Sequence, residues 1–245
     1  MKIDKTRMLN LYMAKLIIRL AVFLICFSIY LYNKKLMISF ISRPVFSGIN
    51  FMHMLWLGFM IMMLRHLFPK EPFTMALLKS RAAKYIPDEN CSRQEVLEYV
   101  QDQNVKAWKV MLVWLLGNGI VGLLYSADIL DIADLLMLSV FYFLCDYICI
   151  LFYCPFQSHI MQNKCCINCR IYDWGHFMMF TPMVFIHNFY ALSLFFMSGI
   201  VLIHWELTYA KHPERFYYGS NKHLQCTHCT DKTCQIKRKL TSTNR

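Results

Sequence analysis

Charge is scarce in this chain. Of 245 residues, 17% are charged and 57% are apolar, and the mean hydropathy is +0.36. A soluble domain carries about 25% charged residues. The deficit excludes a disordered chain, a nucleic-acid-binding globule and a small secreted disulfide scaffold. Lys and Arg are missing altogether from 110–163 and 171–210. The sequence also lacks an internal repeat, a low-complexity segment, a phosphate loop, a serine or cysteine triad, and a paired general acid and base.

What charge there is lies in a pattern. The net charge of +11 would suit a polyanion, but all 26 Lys and Arg fall in five blocks: 1–19, 33–45, 65–109, 154–176 and 206–245. A nucleic-acid surface spreads basic residues along a folded face. Here they gather where apolar runs stop, as in the loops of a multispanning protein. A helix needs roughly 20 apolar residues to cross the hydrocarbon. Five runs are candidates: 12–32, 46–64, 110–125, 132–153 and 177–205. Trp56, Trp108, Trp174 and Trp205 sit at or near run ends, as interfacial anchors would. The first run is too long for a signal-peptide core, and no small-x-small cleavage site follows it.

The reading is an all-α, polytopic transmembrane helix bundle of five spans over 1–205, with a cysteine-rich basic tail at 206–245. With the N-terminus inside, inner segments hold 15 basic residues, outer loops hold 3, and the tail, with 8, lies outside. The rival topology makes 177–205 re-entrant, broken at Thr181-Pro182 and turning at His187-Asn188. It sets 23 basic residues against 3. In the interfacial loop 65–109, the stretch 71–85 predicts a short amphipathic helix. Ser92 followed by Glu95 predicts a capping box with a helix starting near 93. The tail beyond 235 is expected to be frayed.

The cysteines carry the sharpest signal. There are eleven. Cys26, Cys145 and Cys149 lie within spans, and Cys91 is alone in the large loop. Cys154, Cys165, Cys166 and Cys169 form one group between spans four and five. Cys226, Cys229 and Cys234 form a second near the C-terminus. Each group contains a C-x2-C pair, a spacing that lets two thiolates grip one metal ion from a single turn. The first group could close a tetrahedral site alone, and His223 or His228 could complete the second. The metal would be zinc or an iron–sulfur cluster. The spacing does not match the bacterial ferredoxin run. Thiol–disulfide chemistry, or structural thiols bracing loops, are the alternatives.

Asp146 is the one acid deep in any span, where an ionisable group suggests function. Ser139, Tyr142, Asp146, Cys149 and Tyr153, spaced 3, 4, 3, 4, form a polar stripe on one helix face. Counting inward at 1.5 Å per residue puts Asp146, Asn118, His187 and His53 at depths of about 12 to 18 Å. Asp146 and His187 could then carry protons or contact a quinone-like carrier. Two histidines holding a haem, and single interhelical hydrogen bonds, are the other readings of this layer. Gly117 to Gly122 matches G-x-G-x-x-G, but it lies in an apolar span with no strand before it, so close helix packing explains it better. His204 reads as interfacial, and most of the 17 Met as lipid-facing or core.

The stretches CPFQSHIMQNKCCINCRIYDWGHFMMFTPMVFI (154–186) and HPERFYYGSNKHLQCTHCTDKTC (212–234) resemble an uncharacterised family of bacterial integral membrane proteins. HMLWLGFMIMMLRHLFP (53–69) extends the likeness loosely. The resemblance implies residence in the bacterial cytoplasmic membrane and implies that the two cysteine groups belong together. It implies no activity, cofactor or substrate. The expected function is therefore a metal- or iron–sulfur-binding membrane redox protein. The alternatives are a membrane-embedded thiol–disulfide oxidoreductase, and a transporter or assembly subunit with structural cysteines. Expected partners are the lipid bilayer and a quinone or redox protein, not nucleic acid.

Overall fold

The computed structural model describes residues 6–41, 44–46, 49–69, 74–163 and 165–237. Four helices are long and apolar enough to cross a membrane: α1 (Arg7–Tyr32), α5 (Arg93–Ser126), α6 (Ile132–Leu151) and α8 (Phe189–Lys211). The chain is thus a helical membrane protein. A shorter apolar helix, α3 (Phe51–Leu67), packs among them. Helix α2 (Lys34–Ile41) and a small hairpin, β1 (Pro44–Phe46) with β2 (Ile49–Asn50), link α1 to α3.

Local chemistry sets the helix starts. Thr6 accepts a hydrogen bond from the Leu9 amide (3.1 Å) and opens α1. Ser92 accepts from the Glu95 amide (3.2 Å) and opens α5, as the sequence predicts, and α5 runs on unbroken through the third apolar run. At α6 the box is reciprocal. The Asp134 amide donates to Asp131, and the Asp131 amide donates to Asp134. Each cap satisfies amides that a helix otherwise leaves unpaired.

The helices have a common polarity of ends. Leu9 and Tyr12 at the start of α1 pack on Tyr147 and Leu151 at the end of α6. Tyr30 and Lys34 reach Asp134 at the start of α6. The two helices are therefore antiparallel over their whole length. Between them, Arg19 donates to Asp146 (2.8 Å) with its guanidinium over the rings of Phe143 and Tyr147, each 3.9 Å away. Two opposite charges that would each be costly in the bilayer are thereby held as one neutral unit.

The run 177–205 is not one helix, which corrects the bounds of the fifth expected span: the long helix is α8 (Phe189–Lys211). Helix α7 (Gly175–Phe180) gives way to a 3-10 helix over Thr181–Phe185, the chain turns at 186–188, and α8 begins at Phe189. Pro182 removes an amide and restricts Thr181 before it. The Thr181 hydroxyl compensates inside the protein, donating to the Phe177 carbonyl (2.7 Å) and accepting from the Trp114 indole (3.0 Å). A break satisfied by neighbouring helices is permitted at membrane depth. Ile186 meets Leu135 near the start of α6, and α8 then returns to place Trp205 and Tyr209 beside Cys169 and Trp174.

The tail therefore lies at the same end of the bundle as the first cysteine loop, not across from it. There it folds over 74–92. The Asp88 amide donates to Ser220 (2.9 Å), the Lys222 amide donates to Ile86 (2.9 Å), and the buried Asn221 side chain holds both strands. The Thr6 hydroxyl reaches the Asp231 carbonyl (2.8 Å), so the N-terminus is tied in as well. The stretch 71–85 is not a surface-lying amphipathic helix. Its described part holds only a short helix, α4 (Met75–Leu78), with all four residues buried, and a 3-10 turn at Ala82–Lys84. Residues 71–73, and 238–245 of the expected frayed tail, lie outside the described residues.

Of the glycines singled out in α5, Gly122 alone is crowded. A methyl group there would strike the ring of Phe185, whereas Gly117 and Gly119 face open space. Gly122→Ala is expected to destabilise the protein by about 1–3 kcal/mol through overpacking. Thermal unfolding in detergent checks this, with Gly119→Ala as the unchanged control.

Candidate cysteine site

The loop after α6 begins with Cys154 and Pro155 and coils into a π-helical turn, Phe156–Met161, that ends at Gln162 in the left-handed region (φ 55°). This turn aims amides at sulfur. Cys154 Sγ accepts from the Gln157 amide (3.4 Å), and the Cys149 thiol donates to it from the last turns of α6. The Cys149 hydrogen bond, the backbone amides and the Lys237 ammonium together hold the Cys154 thiol well below its ordinary pKa, against the opposing effect of burial.

Cys166 and Cys169 follow in a tight turn closed by the Cys169 amide on the Cys166 carbonyl (3.1 Å), and both are buried. The Cys166 thiol donates to Gln157 Oε1 (3.0 Å), and Lys237 Nζ lies 2.8 Å from its sulfur. Burial raises the pKa of Cys166, with Lys237 opposing, and pushes Cys169 up to about 12. The turn is fastened from beneath. Lys79, fully buried, donates to the carbonyls of Ile167 (2.9 Å) and Cys169 (3.0 Å) and lies over the rings of Trp205 and Phe216. Burial pushes its ammonium down to about 8. On the other side Arg170 grips Asn104 and Glu206, and Trp205 Nε1 donates to the Arg170 carbonyl (2.7 Å).

The second group comes to the first. The Cys165 thiol donates to Cys234, which raises the Cys165 pKa, and burial adds to the shift. Cys165 and Cys234 share a small core with Met75, Ala76, Ile167 and Leu224. Asp231 anchors this part of the tail by accepting from the Met75 amide (2.9 Å). Cys229, half-buried, accepts from the Lys232 amide (3.4 Å), and Cys226 is exposed. His228 Nδ1 pairs with the Thr227 hydroxyl (3.1 Å), and His223 Nε2 is buried with no hydrogen-bond partner among the described residues. Cys91 stands apart on the large loop.

The sulfurs come together as pairs and as a lining. Cys149 pairs with Cys154, and Cys165 with Cys234. Cys145, Cys149, Cys154, Cys166 and Cys169 line one largely apolar cleft of about 430 Å³. Tyr142, Asp146 and Tyr153 line the same cleft, so most of the polar stripe read from α6 faces it. Trp114 and Phe156 supply aromatic walls. The backbone of α7 comes close here, and a Cβ at Gly175 would lie 2.8 Å from Asp146 Oδ1.

The expected intramembrane layer does not assemble. His187 is exposed at the turn before α8, beside Ile186, which packs on Leu135. Eleven residues of α6 separate Leu135 from Asp146, a rise of about 16 Å. Asn118 donates to the Trp114 carbonyl (3.0 Å), and His53 pairs with Tyr190 (2.7 Å). Asp146 takes Arg19, not His187, as its partner. The sequence reading did not single out His66, Asp173 and His176, which the fold brings together. The Asp-x2-His spacing of 173 and 176 was the available signal.

No family model, curated protein or solved structure matches the chain.

The low-lying Cys154 thiol has a measurable consequence. Alkylation of Cys154 is expected to follow a pH midpoint below the ordinary thiol value of about 8.5. Cys149→Ala removes the donated hydrogen bond and should move that midpoint upward. Peptide mapping after iodoacetamide pulses at a series of pH values reads both.

Proposed function

We propose that this is a membrane redox protein whose working groups are the thiols at the cysteine-rich end, exchanging electrons with an apolar, quinone-type carrier in the sulfur-lined cleft. The observation that carries this reading is the placement of the Cys149–Cys154 pair in the wall of that cleft. One member is favoured as thiolate, which is the form that attacks. In the proposed step the two thiols lose two electrons and two protons and form one S–S bond, and the quinone becomes the hydroquinone. Cys166 and Cys169 in the same wall, and the Cys165–Cys234 pair behind them, are the thiols that would relay reducing equivalents. Asp146, paired with Arg19, lines the same cleft and is the acid there that could receive a released proton.

The distribution of charge supports a cytoplasmic location for the cysteine end. Among the described residues, every basic block except 33–45 contributes to segments at that end, and positive loops favour the cytoplasm. Thiols there are kept reduced, and cysteine pairs that do cycle there are catalytic rather than structural. The resemblance read from 154–186 and 212–234 points to the bacterial cytoplasmic membrane.

A second reading, zinc or an iron–sulfur cluster held by Cys154, Cys165, Cys166, Cys169 and the tail cysteines, draws on one observation. The two C-x2-C groups meet through Cys165 and Cys234. Backbone amides pointed at Cys154 and Cys229 also suit thiolate ligands.

One experiment separates the two. Detergent-purified protein is incubated with a short-chain ubiquinone, and free thiols are counted by mass spectrometry after alkylation. The redox reading expects two fewer thiols per chain, a Cys149–Cys154 disulfide and production of hydroquinone, all abolished in Cys154→Ser and kept in Cys91→Ser. An unchanged thiol count overturns it. Stoichiometric zinc, or visible absorption bleached by dithionite and lost in Cys166→Ser, would favour the metal–sulfur centre.

A further inference from the structure

His66, Asp173 and His176 come from three different elements. His66 is in the last turn of α3, Asp173 in the 3-10 helix Arg170–Trp174, and His176 in the first turn of α7. One ligand-type atom from each lies within 4.8 Å of the other two, and among the described residues no other group of three His, Cys, Asp or Glu meets that limit. His66 Nδ1 is 2.6 Å from Asp173 Oδ1, and the two imidazoles stand edge to face with centroids 4.3 Å apart. Asp173 is buried, and His66 and His176 are half-buried.

The arrangement is odd for a purely structural cluster. His176 makes no hydrogen bond among the described residues, and its one ring contact is the other imidazole. Its ring nitrogens are thus not committed to any described protein group and remain open to a ligand. A metal ion seated among the three would take a lone pair from each ring and charge from the carboxylate.

We propose that His66, Asp173 and His176 form a binding site for a first-row divalent metal such as Zn²⁺ or Fe²⁺, with an open coordination position for an anionic ligand. Two imidazoles and one carboxylate are the donor set of catalytic zinc and of non-haem iron centres that keep positions free. Ligand atoms around a tetrahedral ion with bonds of 2.0–2.1 Å lie about 3.4 Å apart, so the trio, whose atoms lie within 4.8 Å of one another, needs only a small adjustment in which the 2.6 Å His66–Asp173 contact opens. The three residues face a cavity of about 340 Å³ that Lys15, Arg19 and Arg65 also line. Those three cations exceed the two carboxylates, Asp146 and Asp173, in the same cavity. Adding a divalent ion raises the excess further. A carboxylate, a phosphate or hydroxide on the metal would offset it, which is why the open position takes an anion. The site lies in a neighbouring cavity that shares Asp146, Ile150, Tyr172 and Gly175 with the sulfur-lined cleft, but its donor set contains no sulfur and does not depend on the redox reading.

The test uses the full-length protein in detergent, stripped with chelator and titrated with Co²⁺, with Zn²⁺ affinity read by competition against a fluorescent indicator. One equivalent should bind, giving visible ligand-field bands without the near-ultraviolet sulfur-to-cobalt band, and azide should shift them. His176→Ala and Asp173→Ala should weaken Zn²⁺ at least about tenfold, while His187→Ala and Cys166→Ser leave it unchanged. The wild-type Co²⁺ spectrum reports the donor type even where an alanine variant fails to fold. Absence of stoichiometric binding, a sulfur-to-cobalt band lost in Cys166→Ser, or full affinity in a folded His66→Ala/His176→Ala variant would overturn the site. Bands indifferent to azide would overturn the open position.

Discussion

The cysteine-rich end depends on a buried ammonium. Lys79 has no carboxylate within ion-pair distance among the described residues. It is stabilised by two carbonyl oxygens and two aromatic faces. Burying such a group is costly unless its hydrogen bonds are made, so those partners must be present together. The carbonyls belong to the Cys166–Cys169 turn, one ring to α8, and the other to Phe216 after it. One charge therefore ties the first cysteine loop, the last long helix and the chain leading to the second cysteine group into one cap. It explains why loops of irregular backbone can hold sulfurs in fixed positions.

The break at Pro182 matters as much as any contact. A continuous helix over 177–205 would have delivered the tail to the opposite end of the bundle. The half-length descent through α7 and its 3-10 extension lets α8 come back. Cys165 then meets Cys234, and Lys237 meets Cys166. The same descent places Gly175 over Asp146 and His176 beside His66. Two chemically distinct clusters of side chains, one of sulfur and one of nitrogen and oxygen, thus owe their geometry to one interrupted element.

Much of the scaffold was legible in the sequence, because apolar length and capping residues act locally. The runs at 12–32, 110–125 and 132–153, and the start at Ser92, follow from such terms. The two cysteine groups were legible as groups. Their meeting was readable only as the consequence of a rival topology, since Thr181-Pro182 marks a break without saying where the chain goes next. Asp146 stood out as the one acid deep in a span, but its partner did not. Arg19 was counted with the flanking basic block, yet it sits inside α1 and is neutralised across the bundle. His66 and His176 were invisible because their proximity is set by the packing of α3 on α7, which no spacing along the chain encodes. The stretch 71–85 misled because the apolar residues of α4 are buried in protein rather than laid on lipid.

The stitching of the tail to Thr6 and Met75 has a consequence for biogenesis. The segments that close the cap, 222–237, follow all four long apolar helices in chain order. Until they are made, Cys165 lacks its partner and Cys166 lacks its lysine. Those contacts therefore form only after α8 has been synthesised, and a nascent chain arrested before that point cannot display them.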